Sequence, residues 1–236
     1  MKSFTRVLVI ACFTISLFPG LNKLIGQEKI TGVYSVFAKD KVIQTDSYEI
    51  TPGKTYIDDM KGIAGGESDR RYEMTLDNNK FQSMEKKVAG IVVSSIKYSA
   101  KMFSFYDNDA MSGMLADETN PPVFEAAAFS HYALLVDLYQ KTGDGKQTVS
   151  VVIPALQDLI NVEIERHGSD AFNIGEQSLT ATHYRFAIGK KRETVNLWTD
   201  NHKVIAIYLA SNDRFVVDNS YPNLYESIKK VINRAM

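Results

Sequence analysis

Several side chains in this sequence could do chemistry, but their spacing assembles none of the common reaction centres. The histidines are His131, His167, His183 and His202. No two of them stand at a metal-ligand spacing, and the single cysteine, Cys12, lies far from all four. Ser130-His131 is a direct neighbour pair without the GxSxG elbow that exposes a nucleophilic serine, so it reads as an adjacency. Asp107-Asn108-Asp109 with Glu118 has the outline of a calcium loop. However, Met111 stands where an oxygen ligand is needed, and Ser112 stands where glycine makes the sharp turn. Gly62-Ile63-Ala64-Gly65-Gly66 lacks both the GxGxxG spacing and the Lys-Ser/Thr ending of a phosphate loop. No catalytic residue, metal or cofactor is expected.

What remains is aromatic. Tyr34, Phe37, Tyr72, Phe81, Phe103, Phe105, Tyr184, Phe186, Trp198 and Tyr208 are spread over runs that read as strands. They suit an ordinary core, or a curved sheet whose concave face holds an apolar ligand. The candidate ligand-binding residues are Trp198, Tyr184, Phe186, Tyr208 and Tyr132. Trp198 is the only tryptophan, and the large apolar area of an indole argues for its burial in the core or the cavity wall.

The elements that must position these residues are mainly β. Lys191–Leu209 reads as a hairpin turning at Asp200-Asn201-His202-Lys203. Its first arm alternates, while its second arm, Val204–Leu209, is nearly all apolar, as in a strand covered on both sides. Gly32–Phe37 and Val42–Thr51 form another hairpin, closed by Pro52-Gly53. Arg71–Leu76 and Lys80–Val88 flank Asp77-Asn78-Asn79, whose residues accept positive φ. Ile91–Tyr98, Met102–Tyr106, Gln147–Ile153, Leu159–Arg166, Thr180–Ile188 and Arg214–Val217 are further β runs. Lys61–Asp69 and Asp107–Pro122 read as loops.

Two helices are expected. Phe124–Tyr139 is rich in Ala and Leu, carries an apolar stripe, and is stopped by Thr142-Gly143-Asp144-Gly145. Tyr221–Ala235 is amphipathic, with Pro222 in its first turn, Ser220 or Asn219 as cap, and basic residues near its end. Turns every eight to twelve residues between short strands indicate a strongly curved antiparallel sheet or half-open barrel. The central and C-terminal helices would cover it.

Residues 1–26 have the order of a secretory signal. Lys2 and Arg6 precede the apolar run Val7–Phe18, Pro19-Gly20 breaks it, and Gly26 supplies a small residue. The run is too short for a comfortable membrane span. Val9-Ile10-Ala11-Cys12 also resembles a bacterial lipobox, which would anchor the protein by lipid through Cys12. Because Cys12 sits inside the apolar run, plain export to the periplasm or the extracellular space is the reading preferred. Cleavage would leave residues 27–236 as one domain. It would remove Lys2, Arg6 and Lys23 and take the formal charge from −1 to −4. No basic patch results, so a nucleic-acid partner is not expected. No transmembrane span is expected in the mature chain.

The order of these features resembles that of exported bacterial proteins of unknown function with a LolA-like, lipoprotein-carrier-like fold. The resemblance rests on the central helix FSHYALLVDLY, the following QTVSVVIP, and VNLWTD turning into KVIAIYL, with Leu197-Trp198-Thr199-Asp200 as the short motif. It implies an open, strongly curved antiparallel sheet whose concave side is plugged by helices. It implies no catalytic residues, and carrier activity belongs only to some members, because fold does not transfer function. The expected function is thus a non-enzymatic exported protein binding a lipid or other apolar small molecule in a curved-sheet cavity. An envelope structural or protein-interaction domain with a packed core is the first alternative. An enzyme with a dispersed site is the second.

Overall fold

The computed structural model describes residues 28–63, 68–108, 110–116, 120–142 and 145–235. The proposed signal segment, Asp109, Glu118 and most of the Gly62–Gly66 run lie outside the described residues. The described residues form one sheet of fourteen antiparallel strands and two helices. The strands are β1 (Ile30–Ala38), β2 (Lys41–Thr51), β3 (Thr55–Gly62), β4 (Arg70–Asp77), β5 (Lys80–Val88), β6 (Ile91–Ser99), β7 (Met102–Asp107) and β8 (Ala110–Leu115), then β9 (Lys146–Ile153), β10 (Asp158–Ile174), β11 (Gln177–Ile188), β12 (Glu193–Asp200), β13 (Lys203–Leu209) and β14 (Arg214–Asp218). The helices are α1 (His131–Thr142), between β8 and β9, and α2 (Leu224–Ala235), at the end.

The order across the sheet is β8 to β1, then β14 back down to β9. Each strand pairs with its sequence neighbour, and β1 pairs with β14 to join two meanders at the middle. The hairpin tips are built from residues that tolerate positive φ: Lys39-Asp40, Asn78-Asn79 and Asn201-His202. The sheet is strongly curved and does not close. Its two ends approach each other where Ser112 of β8 hydrogen-bonds Gln157 in the β9–β10 turn. The free edge of β9 is covered by the crossing segment: Phe124 N–H donates to Val152 O at 2.9 Å, and Val152 N–H donates to Pro122 O at 2.9 Å.

Residues 120–142 therefore cross from one sheet end towards the other over the concave face, and α1 lies within that concavity. The first turns of α1, from His131 to Val136, are buried all round. A helix with no wet side is an interior helix rather than an amphipathic cover. α2 is different. It lays Leu224, Ile228 and Ile232 on the convex face against Phe172, Trp198, Ile205, Ala206 and Phe215 and leaves its other side to water.

The mainly β architecture with two helices is as expected, and several boundaries differ. α1 starts at His131, not Phe124. Glu125–Ser130 is held in turns because Asp58 accepts the Ser130 N–H at 2.8 Å and the Ser130 Oγ–H at 2.5 Å, which fixes the helix entry. α2 starts at Leu224, after a turn containing Pro222. One strand, β8, falls where a loop was expected, and β3 occupies a stretch to which no element was assigned, only its end reaching into the expected Lys61–Asp69 loop. In β3, Tyr56, Asp58 and Met60 all point inward, and a buried aspartate in that row hides the alternation. β8 is an edge strand with little burial, so its pattern carries no apolar face. The hairpin of β10 and β11 also runs further than expected, to Ile174 and Gln177.

One glycine is required by packing. Gly32 lies opposite Tyr48, whose hydroxyl oxygen would stand 2.5 Å and nearest ring carbons 2.7 Å from any Cβ added there. The tyrosine fills the space that the missing side chain leaves and stacks on Tyr34 with centroids 4.4 Å apart.

Candidate functional site: a cavity at one rim of the sheet

The β1–β2, β3–β4, β9–β10, β11–β12 and β13–β14 turns share one rim. There a cavity of about 700 Å³ opens beneath the crossing segment, within the range typical of small-molecule sites. Phe129 and Tyr132 form its inner side, and Ile153, Ile160, Ile188, Val195 and Leu209 supply apolar wall. Each of these points inward because the sheet side chains alternate faces.

The polar residues in the lining fall into two groups. Asp158, Lys190, Lys191, Glu193, Ser211 and Asn212 are exposed at the mouth. Gln44, Arg70, Glu125 and Arg214 lie deeper. Gln44 is only 2% exposed, and its Nε2 has no hydrogen-bond partner among the described residues. Arg70 lies near Glu125 and hydrogen-bonds the Tyr72 hydroxyl; the loss of solvent around that phenol pushes it up to about 12. Burial likewise raises the Glu125 carboxyl above its ordinary range, against the Ala127 N–H that Glu125 accepts and the charges of Lys86 and Arg70.

Behind Gln44 the polar row continues into the core. Asp46, two residues on and facing the same way, is fully buried, hydrogen-bonded to the Asp58 carboxyl and close to the Asp59 backbone. Its carboxyl is pushed well up, first by burial and then by the charge of Asp58. His131 is also fully buried. Its Nδ1 accepts the Glu125 N–H at 3.2 Å, so Nε2 carries the proton. Burial lowers this imidazole to about 4, partly offset by Asp58, and keeps it neutral. Ser130 Oγ donates to Asp58 and not to His131, so the neighbouring pair does not form a nucleophile and base. Among the described residues, no cluster of His, Cys, Asp and Glu is arranged to hold a metal.

The five candidate ligand residues are not gathered in one place. Tyr132 lines the cavity. Phe186 stacks on Tyr132 from behind, with centroids 6.1 Å apart. Tyr184 lies further along β11, edge-on to Tyr139, and its hydroxyl accepts from Gln140 Nε2 at 3.3 Å. Trp198 and Tyr208 sit on the convex face, separated from the cavity by the sheet. Trp198 is buried as expected. Its Nε1–H donates to Asp170 Oδ2 at 2.7 Å, His183 stacks on it at 4.6 Å, and Asp170 also holds His183 Nδ1 at 3.1 Å.

The polar residues of the cavity floor were missed in the sequence. On β2, Gln44 and Asp46 alternate with Thr45 and Ser47, so both faces look polar, and nothing in the pattern separates the buried row from the exposed one. The one available signal was that Tyr48 and Ile50 share the row with Gln44 and Asp46.

No protein-family model matches this chain, and no curated protein matches it. Among solved structures, the chain is similar to a beta-barrel-like protein of the domain of unknown function DUF1849 from Brucella abortus. The TM-score is 0.50 with 6% identity over 80% of this chain and 94% of that one. Identity this low makes it a likeness of fold alone, that of a β-barrel-like protein of unknown function.

Proposed function

We propose that this protein is an exported, non-enzymatic binding protein that holds an amphiphilic apolar molecule in the rim cavity. The observation carrying this reading is the cavity itself: about 700 Å³, walled by Ile153, Ile160, Ile188, Val195 and Leu209, with Gln44 in its lining and the Gln44 Nε2 buried without a partner among the described residues. A sheet that only needed a core would fill such a space, because voids and unpartnered buried donors both cost stability. The Lys2–Phe18 order supports export, and the LolA-like order of elements supports a carrier. Commitment of Ser130 to Asp58 supports a non-catalytic role.

The test is native mass spectrometry of protein purified from its own host, beside an Ile188→Trp variant. Ile188 is half-buried on the cavity wall, so an indole there fills space without displacing a packed core. Co-purifying apolar molecules on the parent and none on Ile188→Trp are expected. A parent that is empty, and stays empty when mixed with long-chain amphiphiles, would remove this reading.

A second reading, a protein-interaction domain, is favoured by the outer face of β7 and β8. Met102 pairs with Leu115 there, Tyr106 pairs with Met111, and all four are exposed.

A further inference from the structure

The chemistry of the cavity floor specifies the head of the ligand, on the premise that the cavity holds an amphiphile. Three of the four deeper polar residues are Gln44, Arg70 and Arg214. All three are on the inward row of their strands. Arg70 lies opposite Met60, Gln44 lies opposite both Val36 and Gly62, and Arg214 lies opposite Ala38. Gln44 is thus two strands from each arginine, roughly 10 Å along the sheet. The two guanidinium groups have donors and no acceptor, and the unpartnered Gln44 atom is also a donor. Glu125 is the fourth deeper group. Its Oε1 is already occupied by the Ala127 N–H at 3.2 Å, and Arg70 lies close enough to offset its charge.

We propose that the cavity selects an amphiphile whose head carries an anionic oxygen, received by Gln44 Nε2 between Arg70 and Arg214. A neutral hydroxyl head would satisfy Gln44 but take little from the arginines. A cationic head would bring a third positive charge to a floor whose two guanidinium groups are set against the single carboxyl of Glu125. An anionic head accepts from the amide and is attracted by both guanidinium groups, and charge-assisted hydrogen bonds in a partly desolvated site are the strong ones. Carboxylate and phosphate monoester heads share this chemistry.

The experiment uses the secreted full-length product after lipid removal, loaded with an uncharged naphthalene fluorophore. The dye is displaced by hexadecanoate, hexadecyl phosphate, hexadecanol and hexadecylamine. At least one of the two anions is expected to bind about tenfold or more tighter than the alcohol, with the amine weakest. The better anion identifies the head. Gln44→Leu and, separately, Arg214→Met are each expected to narrow the anion-over-alcohol ratio to about threefold or less, whatever the change in hexadecanol affinity itself. Either variant suffices if the other fails to fold. Equal binding of alcohol and anions would overturn the anionic-head inference and leave the cavity reading standing. Failure of the dye and all four amphiphiles to bind would remove both.

Discussion

The two faces of this sheet are finished in opposite ways. On the convex face, α2 closes over Phe172, Trp198, Ile205, Ala206, Phe215 and Val217, a compact apolar layer. Its main polar group, the indole N–H, is held by Asp170. On the concave face, α1 is embedded among tyrosines; His131 at its start and Gln44 nearby each have a buried polar atom lacking a partner among the described residues, and Asp46 is buried against Asp58. The same strands serve both faces, so strand propensity does not explain the difference. A face that only has to be stable becomes filled and satisfied. The face with a hollow and spare donors has given up stability for something else.

The largest test of this contrast is truncation on the filled side. Trp198→Ala is expected to cost about 3–5 kcal/mol in urea unfolding, since it empties a packed site and takes one of its donors from Asp170. Ile188→Trp, on the hollow side, is expected to change stability by less than about 1 kcal/mol. Similar losses at both positions would break the contrast.

Acid should expose the concave face next. The His131 imidazole is lowered to about 4 in the folded protein, against about 6.5 unfolded. Its contribution is therefore complete above the unfolded value and is lost as pH falls from about 6.5 through 4. The loss is roughly 3 kcal/mol across that window. Unfolding midpoints measured along a pH series should show it, and His131→Gln should flatten that limb.

Asp46 runs the other way. Its folded carboxyl is raised, so the stability it lends is present below its unfolded value near 4 and is lost as pH rises through the folded value. Asp46→Asn is therefore expected to be more stable than the parent at pH 7, by about 1 kcal/mol, with less change at pH 4. A destabilised Asp46→Asn at pH 7 would show that the charged carboxylate is needed.

The smallest effect is optical. Trp198 emission should be blue-shifted in the free protein. Because the sheet separates Trp198 from the cavity, filling the cavity with hexadecanoate should leave that emission nearly unmoved, while displacing the uncharged dye. A large tryptophan response would mean that the two faces are coupled.

Much of the fold was legible because the hairpins announce themselves. Asn78-Asn79 and Asn201-His202 mark reversals, and Val204–Leu209 is apolar enough to show that both faces are covered. The α2 stripe was clear because one of its sides remains wet. The start of α1 was not legible, because Ser130 is fixed by Asp58, 72 residues earlier, and no local pattern contains that bond. The cavity floor was obscured for a related reason. A buried Gln44 or Asp46 looks like any surface residue on a strand until the opposite wall is known. Trp198 was rightly expected to be buried, but burial alone does not say on which side of a sheet.

The join between β1 and β14 has a consequence for the order in which the molecule can be assembled. Strand β1 receives its first partner, β2, almost at once, but its second partner begins at Arg214, close to the end of the chain. All the other pairings link strands adjacent in sequence among the described residues. The two meanders can therefore zip up locally and quickly, each around its own turns, while the seam pays the full loop-closure entropy. Until β14 arrives, β1 presents an open edge, and the crossing segment with α1 still has to be enclosed between the halves. A chain cut short before Arg214 would keep thirteen strands' worth of local hairpins and still lack the step that makes them one molecule.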